Sequence, residues 1–171
     1  MKFRTVTIFS GHVFEVPQSI QRIDHRATHG WQLRYGGTKL YSDHTPDGSG
    51  AAESLRLATK ELLKRIATLP APSLLQPKPS VSKTNNLPVG ISGPILRQRP
   101  GRSVPECHFS VNLPRFGTKP LRRSVYIANQ NTYTPERYTA ALNAALDMRK
   151  AAEIQYQLEA TAAKRREASK L

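Results

Sequence analysis

Two stretches of this chain carry the same order of patterns, three short strands followed by one amphipathic helix. The first covers residues 20–67 and the second covers residues 89–158. Each stretch has an alternating strand centred on a large aromatic residue, Trp31 in the first and Phe109 in the second. Alternation directs every second side chain to the same face of a sheet. The sequence therefore predicts an α+β protein of two modules, each a three-stranded antiparallel sheet packed on one helix.

The segments around the two modules have different compositions. Residues 1–19 alternate weakly and predict an N-terminal arm or strand, and residues 159–171 form a basic polar tail. Residues 68–88 are rich in proline, which interrupts both helices and central strands. We therefore interpret residues 68–88 as a linker between the modules.

Turn and capping residues place the boundaries inside the modules. Gly36-Gly37 separates two strand patterns, and this dipeptide supplies the positive φ angles of a tight hairpin. Ser49 predicts the N-cap of a helix from about Ala51 to Ala67. Thr134-Pro135-Glu136 predicts the start of the second helix, since threonine caps, proline suits the first helical position and a carboxylate favours the positive end of the helix dipole.

The net charge is the first indication of a partner. The chain has 171 residues with 26 Lys and Arg against 12 Asp and Glu, a formal charge of +14. Such an excess favours a polyanion, and a nucleic acid comes first, although ribosomes and anionic membranes attract the same charge. A solvated basic surface without a partner is the plain alternative. No segment approaches the ~20 apolar residues of a membrane span. We expect a cytoplasmic protein, associated with the nucleoid if bacterial, without a membrane partner.

Basic and amide side chains on the strands form the candidate binding surface. Arginine pairs with guanine and asparagine with adenine in the major groove, whereas most other basic contacts go to phosphates. A three-stranded sheet with a helix on one side leaves the other side open for such contacts. In the second module the candidate residues are Arg97, Arg99, Arg102, Ser110, Asn112, Arg115, Lys119, Arg122, Arg123 and Tyr126. In the first module they are Arg22, Arg26, Gln32, Arg34 and Lys39.

The two central aromatic residues have a different predicted role. Trp31 and Phe109 each alternate with aliphatic residues that must face a helix. We therefore predict that both belong to the core and do not stack on bases.

The chain carries no pattern that indicates catalysis. His25 and His29 have a four-residue spacing that suits a metal ion on a helix, but the context predicts a strand and a turn. The single cysteine, Cys107, allows no internal disulfide, and its neighbour His108 points to the opposite face of a strand. We found no glycine-rich phosphate loop and no paired carboxylates. The sequence predicts no enzyme activity, no cofactor and no metal site.

The second module carries the residues of a resemblance to a known family. Gly90-Ile91, Phe109, Val125-Tyr126-Ile127, Thr134-Pro135-Glu136 and Ala140-Ala141 lie at places typical of that family. The module resembles the DNA-binding domain of plant ethylene-response factors (the Apetala type). Bacterial and phage relatives occur in homing endonucleases and in the arm-binding domains of tyrosine integrases. The first module resembles it more loosely. Phe109 stands where the family usually has tryptophan, and Tyr126-Ile127-Ala128-Asn129 replaces the family's Leu-Gly-Thr-Phe run.

The resemblance implies that the sheets, and not the helices, enter the major groove of double-stranded DNA. It implies a role in transcription regulation, recombination or genome organisation. Two alternatives stay open, an RNA- or ribosome-binding protein and a basic protein-interaction adaptor that binds no nucleic acid. The sequence leaves open the recognised site, the oligomeric state and whether both modules bind.

Overall fold

The computed structural model describes residues 1–101 and 103–170. Within them the chain is α+β, with antiparallel sheets of two, three and three strands and two helices. The residues group into two compact units. The first unit contains Met1–Pro72 together with the chain from Ala160 onward, and the second unit contains Ser73–Glu159.

The first unit begins with a hairpin that the sequence did not fully indicate. Strands β1 (Phe3–Thr7) and β2 (Val13–Pro17) pair antiparallel, where we had expected an arm or a single strand. Ile8 and Val16 of this hairpin region are buried in the core of the unit. The ring of Phe14 also meets Trp31 edge to face at 5.6 Å between centroids. The hairpin is therefore part of the first core, because its apolar side chains need the same burial as those of the sheet.

The first sheet consists of β3 (Ile20–His25), β4 (Thr28–Arg34) and β5 (Thr38–Ser42) in that order. The β4–β5 turn is confirmed at Gly36 and Gly37, which have φ angles of +63° and +111°. Such angles are accessible to glycine without steric cost.

Helix α1 (Ala51–Thr68) buries one stripe of small and aliphatic side chains against this sheet. Trp31 and Leu33 are fully buried, and the Trp31 Nε1 donates a hydrogen bond to the Ala51 carbonyl at 2.8 Å. The prediction that Trp31 belongs to the core is confirmed. Ser49 is not the cap that we predicted, since Gly50 occupies the N-cap position without a side-chain hydrogen bond. A Cβ atom on Gly50 would overlap the carbonyl oxygen of Asp43, so the close backbone approach accounts for glycine there.

The second sheet consists of β6 (Ile91–Arg97), β7 (Glu106–Leu113) and β8 (Leu121–Asn129), with β7 in the centre. Its core contains Ile91, Phe109, Val111 and Ile127, together with Ala141 and Ala145 of helix α2 (Pro135–Ala168). Phe109 is fully buried and meets Tyr138 of α2 edge to face at 5.2 Å, which confirms its predicted place in the core.

Helix α2 starts as predicted and ends later than predicted. The backbone N–H of Arg137 donates to the Thr134 hydroxyl oxygen at 3.2 Å, which confirms the cap. The helix continues to Ala168, whereas we had expected residues 159–171 to form a basic polar tail beyond the helix. The part from Ala160 groups with the first unit, where Arg165 Nε donates to the Ile66 carbonyl at 3.3 Å. Alanine, glutamate and arginine all favour helix, so nothing in this segment stops α2.

The proline-rich residues 68–88 contain no strand, and of the helices only the last residue of α1 enters them. They are nevertheless not a free spacer along their whole length. Leu87 is buried in the core of the second unit, and Lys83 donates from Nζ to the Pro88 and Ile91 carbonyls at 2.6 and 2.8 Å. Ala71 donates its backbone N–H to Thr161 in the first unit at 3.0 Å. Both ends of the segment are therefore anchored, each to its own unit.

Neither helix in the described part of the chain is apolar enough over a sufficient length to cross a bilayer.

The Trp31→Phe substitution tests the first core. We expect it to lower the free energy of unfolding by about 2 kcal/mol, because it removes buried volume and the donor to the Ala51 carbonyl. Chemical denaturation monitored by circular dichroism measures this loss. Tyr133→Phe is the control, since Tyr133 is 55% exposed and its change should stay within about 0.5 kcal/mol. An equal loss in both variants would contradict the assignment of Trp31 to the core.

Candidate nucleic-acid interface

The second sheet has one covered side and one open side. Phe109 and Val111 of the central strand face α2 and are fully buried. Because side chains alternate along a strand, the neighbours Ser110 and Asn112 lie on the opposite side. We call this side, opposite α2, the open face of the second sheet.

Strand register extends the open face across all three strands, since directly paired residues share a face. Ser110 is paired with Ser92 and Ser124, and Asn112 with Arg122. Beyond the bulges in β6 and β8, Arg97 is paired with Glu106, and Ile95 and Tyr126 are both paired with His108. The open face thus contains Ser92, Ile95, Arg97, Glu106, His108, Ser110, Asn112, Arg122, Ser124 and Tyr126.

Two cations of the open face have no carboxylate partner within the described residues. Arg97 and Arg122 are exposed, on the outer strands β6 and β8. Arg99, in the loop after β6, is instead held by Glu106, with 2.9 Å between its Nε and the carboxylate oxygen. The open face therefore presents two exposed guanidinium groups at different levels, that of Arg122 beside exposed Asn112 and that of Arg97 at the level of Glu106, toward the other end of β7. Such cations attract a polyanion.

Two aromatic side chains cover the middle of the open face. The rings of His108 and Tyr126 meet edge to face at 5.3 Å. The His108 side chain is only 5% exposed, and its Nε2 lies 3.3 Å from a carboxylate oxygen of Glu106. Tyr126 remains 45% exposed. Tyr126 therefore offers a flat apolar surface on the open face, at a level between those of Arg97 and Arg122.

A buried arginine of α2 fixes the backbone on which the open face is built. Arg149 is 7% exposed, and its guanidinium donates to the Asn112 carbonyl oxygen and to Glu153. The Asn112 backbone N–H donates to the Gly90 carbonyl at 2.7 Å. With both backbone groups bonded, the direction of the Asn112 side chain is set by the fold.

Three further candidates of the second module lie away from the open face. Arg123 is paired with Val111, so it lies on the α2 side of β8, contrary to our placement of it beside Arg122. Arg115 and Lys119 are exposed in the β7–β8 loop. That loop contacts α2 through Phe116, whose ring meets Tyr156 at 5.7 Å. Arg102 lies outside the described residues.

The first sheet brings together only part of its predicted set. Gln32 and Arg34 lie opposite α1, and Arg34 Nε donates to the Gln32 amide oxygen at 2.6 Å. Arg26 is exposed in the β3–β4 turn. Lys39 is paired with Leu33 and therefore lies on the α1 side, with its Nζ 5.0 Å from the centre of the Tyr41 ring. The open side of the first sheet thus has far fewer cations than we predicted.

Arg22 is a structural residue and not the exposed contact that we predicted. It is paired with Trp31 on the α1 side, and its side chain is 7% exposed. Its guanidinium donates two hydrogen bonds to the fully buried carboxylate of Asp43, at 3.0 and 2.6 Å. Asp43 in turn accepts from the Ser54 hydroxyl of α1 at 2.6 Å. This network joins the sheet to the helix and leaves Arg22 unavailable to a ligand.

Arg22 forms ion pairs with both Asp43 and Asp24, and the pKa values of Arg22 and Asp24 are shifted. Burial by itself would lower the pKa of Arg22, but hydrogen bonds to Asp43 and Asp24 outweigh burial and raise it. Burial by itself would raise the pKa of Asp24, but hydrogen bonds from Arg22 and His29 outweigh burial and lower it. Asp24 therefore stays ionised in the folded protein to a lower pH than in the unfolded chain.

Ser124 and Ser92 belong to the open face and were missed by the sequence reasoning. Ser124 lies between Arg122 and Tyr126 on the same side of β8. Strand alternation alone would therefore have placed Ser124 on the open face and Arg123 on the opposite face. Ser92 could be placed only once the register with Ser110 was known.

Comparisons with protein-family models, with curated proteins and with solved structures found no match to this chain. The resemblance to the plant DNA-binding domain therefore stays a prediction made from the residues.

The Arg22→Gln substitution tests the structural role of this residue. We expect it to lower the free energy of unfolding by about 3 kcal/mol, because it leaves the Asp43 carboxylate buried without its cation. Denaturant unfolding measures the effect. Arg34→Gln removes the same charge from the opposite side of the sheet, and it should change stability by less than about 0.5 kcal/mol. Equal stability of both variants would contradict the structural assignment.

Acid titration tests the lowered pKa of Asp24. A lowered folded-state pKa adds stability above the unfolded-state value, and this contribution is lost as the pH falls through the folded-state value. We expect Tm to fall below about pH 4, and to fall less steeply in Asp24→Asn than in the parent. Melting curves between pH 2 and 7 measure both slopes. Parallel curves would show that Asp24 has the same pKa in both states.

Proposed function

We propose that this chain binds double-stranded DNA through the open face of the second sheet. The observation that carries the proposal is the presence of Arg97 and Arg122 on that face, exposed and without a carboxylate partner in the described chain. Asn112 is paired with Arg122, and Ser110 and Ser124 lie along the same face toward the level of Arg97. Such a surface can neutralise phosphates and also donate hydrogen bonds to base edges.

The pairing of Asn112 with Arg122 gives the proposal its chemistry. Directly paired side chains of an antiparallel sheet have Cβ atoms about 5 Å apart. An arginine pairs bidentately with guanine and an asparagine with adenine, so this pair could read two neighbouring bases. The major groove is about 12 Å wide and admits a β-ribbon. Arg97 on the opposite outer strand would then contact a phosphate.

We further propose that each three-stranded sheet and its helix form one module, present twice. The shared core of Trp31 with α1 and of Phe109 with α2 supports this division. In this proposal the first module is the weaker binder, since Gln32 and Arg34 are the candidates left on its open side. Two weak modules on one chain would raise each other's effective concentration at neighbouring DNA sites. The biological role would be transcription regulation, recombination or genome organisation.

One observation favours a second candidate, single-stranded nucleic acid such as RNA. Tyr126 is 45% exposed on the open face, beside Arg122 and Ser124 in the same strand. An exposed aromatic ring among cations is a platform on which an unpaired base stacks, worth about 1–3 kcal/mol per base. Duplex DNA offers no such base, because its bases are already stacked.

Neighbouring arginines on opposite sides of β8 provide a matched test of the proposed surface. We expect Arg122→Gln to weaken duplex DNA binding by 1–3 kcal/mol, about 5–150-fold. Arg123→Gln removes the same charge from the α2 side and should weaken it less than about threefold. Fluorescence anisotropy at several salt concentrations measures both. Equal losses would show that general charge, and not the open face, binds DNA, and unchanged binding in Arg122→Gln would remove this face from the proposal.

Competition between a duplex DNA and a single-stranded RNA of equal length separates the two candidates. We expect the duplex to win at near-physiological salt, and Tyr126→Ala to change duplex binding by less than about threefold. A preference for RNA that Tyr126→Ala abolishes would establish the second candidate, since a stacking ring contributes to binding an unpaired base and not to binding a stacked duplex. Binding of neither polymer above low salt would leave the adaptor alternative.

A further inference from the structure

Strand β8 lies at the edge of the second sheet, and its outer side has no partner strand within the described residues. It is nine residues long. Exposed edges of this length present unpaired backbone groups that accept a further strand, and proteins usually protect them.

The hydrogen-bond pattern identifies which backbone groups point outward. Asn112 directs its N–H to β6, where Gly90 accepts it. Because the direction of bonding alternates along an antiparallel strand, Val111 and Phe109 bond to β8 through Arg123 and Val125. In β8, Arg123 and Val125 therefore direct their backbone groups to β7. Arg122, Ser124 and Tyr126 alternate with them and direct their N–H and C=O groups away from the sheet.

The opposite edge of the same sheet is protected. On β6 the outward carbonyls belong to Ile91 and Gly93, by the same alternation. The Lys83 ammonium donates to the Ile91 oxygen at 2.8 Å, and the Asn85 amide donates to the Gly93 oxygen at 3.4 Å. Pro94 adds a position that has no N–H. The fold thus protects the β6 edge, whereas the described residues place no such side chain on the backbone of the β8 edge.

The charges along the open edge select the kind of strand that fits. Arg122 and Arg123 project from opposite faces of β8, both exposed, and neither has a carboxylate partner in the described chain. A second copy of β8 laid along this edge would bring two more arginines and no carboxylate, so it would offer no opposite charge to Arg122 or Arg123. A strand with acidic residues on both faces would meet an opposite charge on each.

We propose that the outer edge of β8 binds an extended acidic segment of a partner protein as a fourth strand of the second sheet. Backbone hydrogen bonds to Arg122, Ser124 and Tyr126 supply the affinity, and the two arginines select for acidic side chains. This site uses the edge of the sheet and does not rest on DNA binding at its open face.

The probe is a synthetic eight-residue peptide of alternating Thr and Val with two adjacent central glutamates, which would lie on opposite faces of an added strand. We expect saturable binding to the full chain, measured by fluorescence anisotropy at near-physiological salt. The same peptide with two central lysines should bind at least tenfold more weakly. Equal binding of the two peptides would overturn the charge selection.

Ser124→Pro tests the edge itself, because it removes an outward N–H and no bond to β7. We expect at least a tenfold loss of peptide affinity, with the matched control Ser124→Ala staying within about twofold of the parent. Unchanged binding in Ser124→Pro would overturn the proposal. Sedimentation of the parent should show a monomer, and a dimer that Ser124→Pro dissociates would assign the edge to a second copy instead.

Hydrogen exchange on the unsubstituted chain gives a second measurement that does not depend on the folding of Ser124→Pro. Bound peptide should slow exchange of the Arg122, Ser124 and Tyr126 amides at least tenfold, and leave those of Arg123 and Val125 unchanged. Uniform protection along β8, or none, would contradict strand addition.

The Arg123→Gln variant separates this proposal from DNA binding. We expect it to weaken peptide binding severalfold and to leave duplex DNA binding nearly intact. Failure of one proposal is therefore distinguishable from failure of the other.

Discussion

The burial of Phe109 and Val111 against α2 is the packing constraint on which the proposed surface depends. Side chains alternate along a strand, so burying these two residues forces Ser110 and Asn112 to the opposite side. Register then carries the same division to β6 and β8, and it decides that Arg122 is on the open face and Arg123 is not. Arg149, buried in α2, holds the Asn112 backbone in place through its carbonyl. Apolar packing on one side of a thin sheet thereby determines the chemistry of the other side.

Both three-stranded sheets bury an aromatic residue of their central strand in the core of their own unit, but their cations differ in environment. In the first sheet Arg22 pairs with the buried carboxylate of Asp43 and links the sheet to α1. In the second sheet the corresponding apolar packing leaves arginines exposed on the open side. A repeated pattern of strands and helix therefore need not mean a repeated binding surface. An arginine with a buried acid within reach is held inside its unit, as Arg22 is, whereas one without such an acid stays exposed, as Arg122 does.

Most strands of the two sheets could be predicted, because alternation, turns and caps are local properties of the chain. The β4–β5 turn at Gly36-Gly37 and the α2 cap at Thr134 are examples, and the core positions of Trp31 and Phe109 follow from the same alternation. The end of α2 was wrong for a local reason, since the segment up to Ala168 favours helix. The other errors arise from contacts that the local pattern does not show. The second strand of the N-terminal hairpin depends on its pairing with β1, and Gly50 replaces Ser49 at the α1 cap because its backbone lies against Asp43. The assignment of Arg22 failed for the same reason, since its partner Asp43 is 21 residues away.

The sequence by itself determined the α+β class, the order of strands and helices within residues 20–158, the strong positive charge and the burial of Trp31 and Phe109. These properties depend on composition and on short-range periodicity, which a single chain displays directly. Only the tertiary structure decided which arginines share the open side of each sheet, which arginines are neutralised, and which strand edge is left uncovered. Those features require strand register, bulges and contacts such as that of Lys83 with the β6 edge. A shift of register by one residue reverses every side chain of a strand, and the bulges in β6 and β8 shift the pairing in a way that simple alternation does not show.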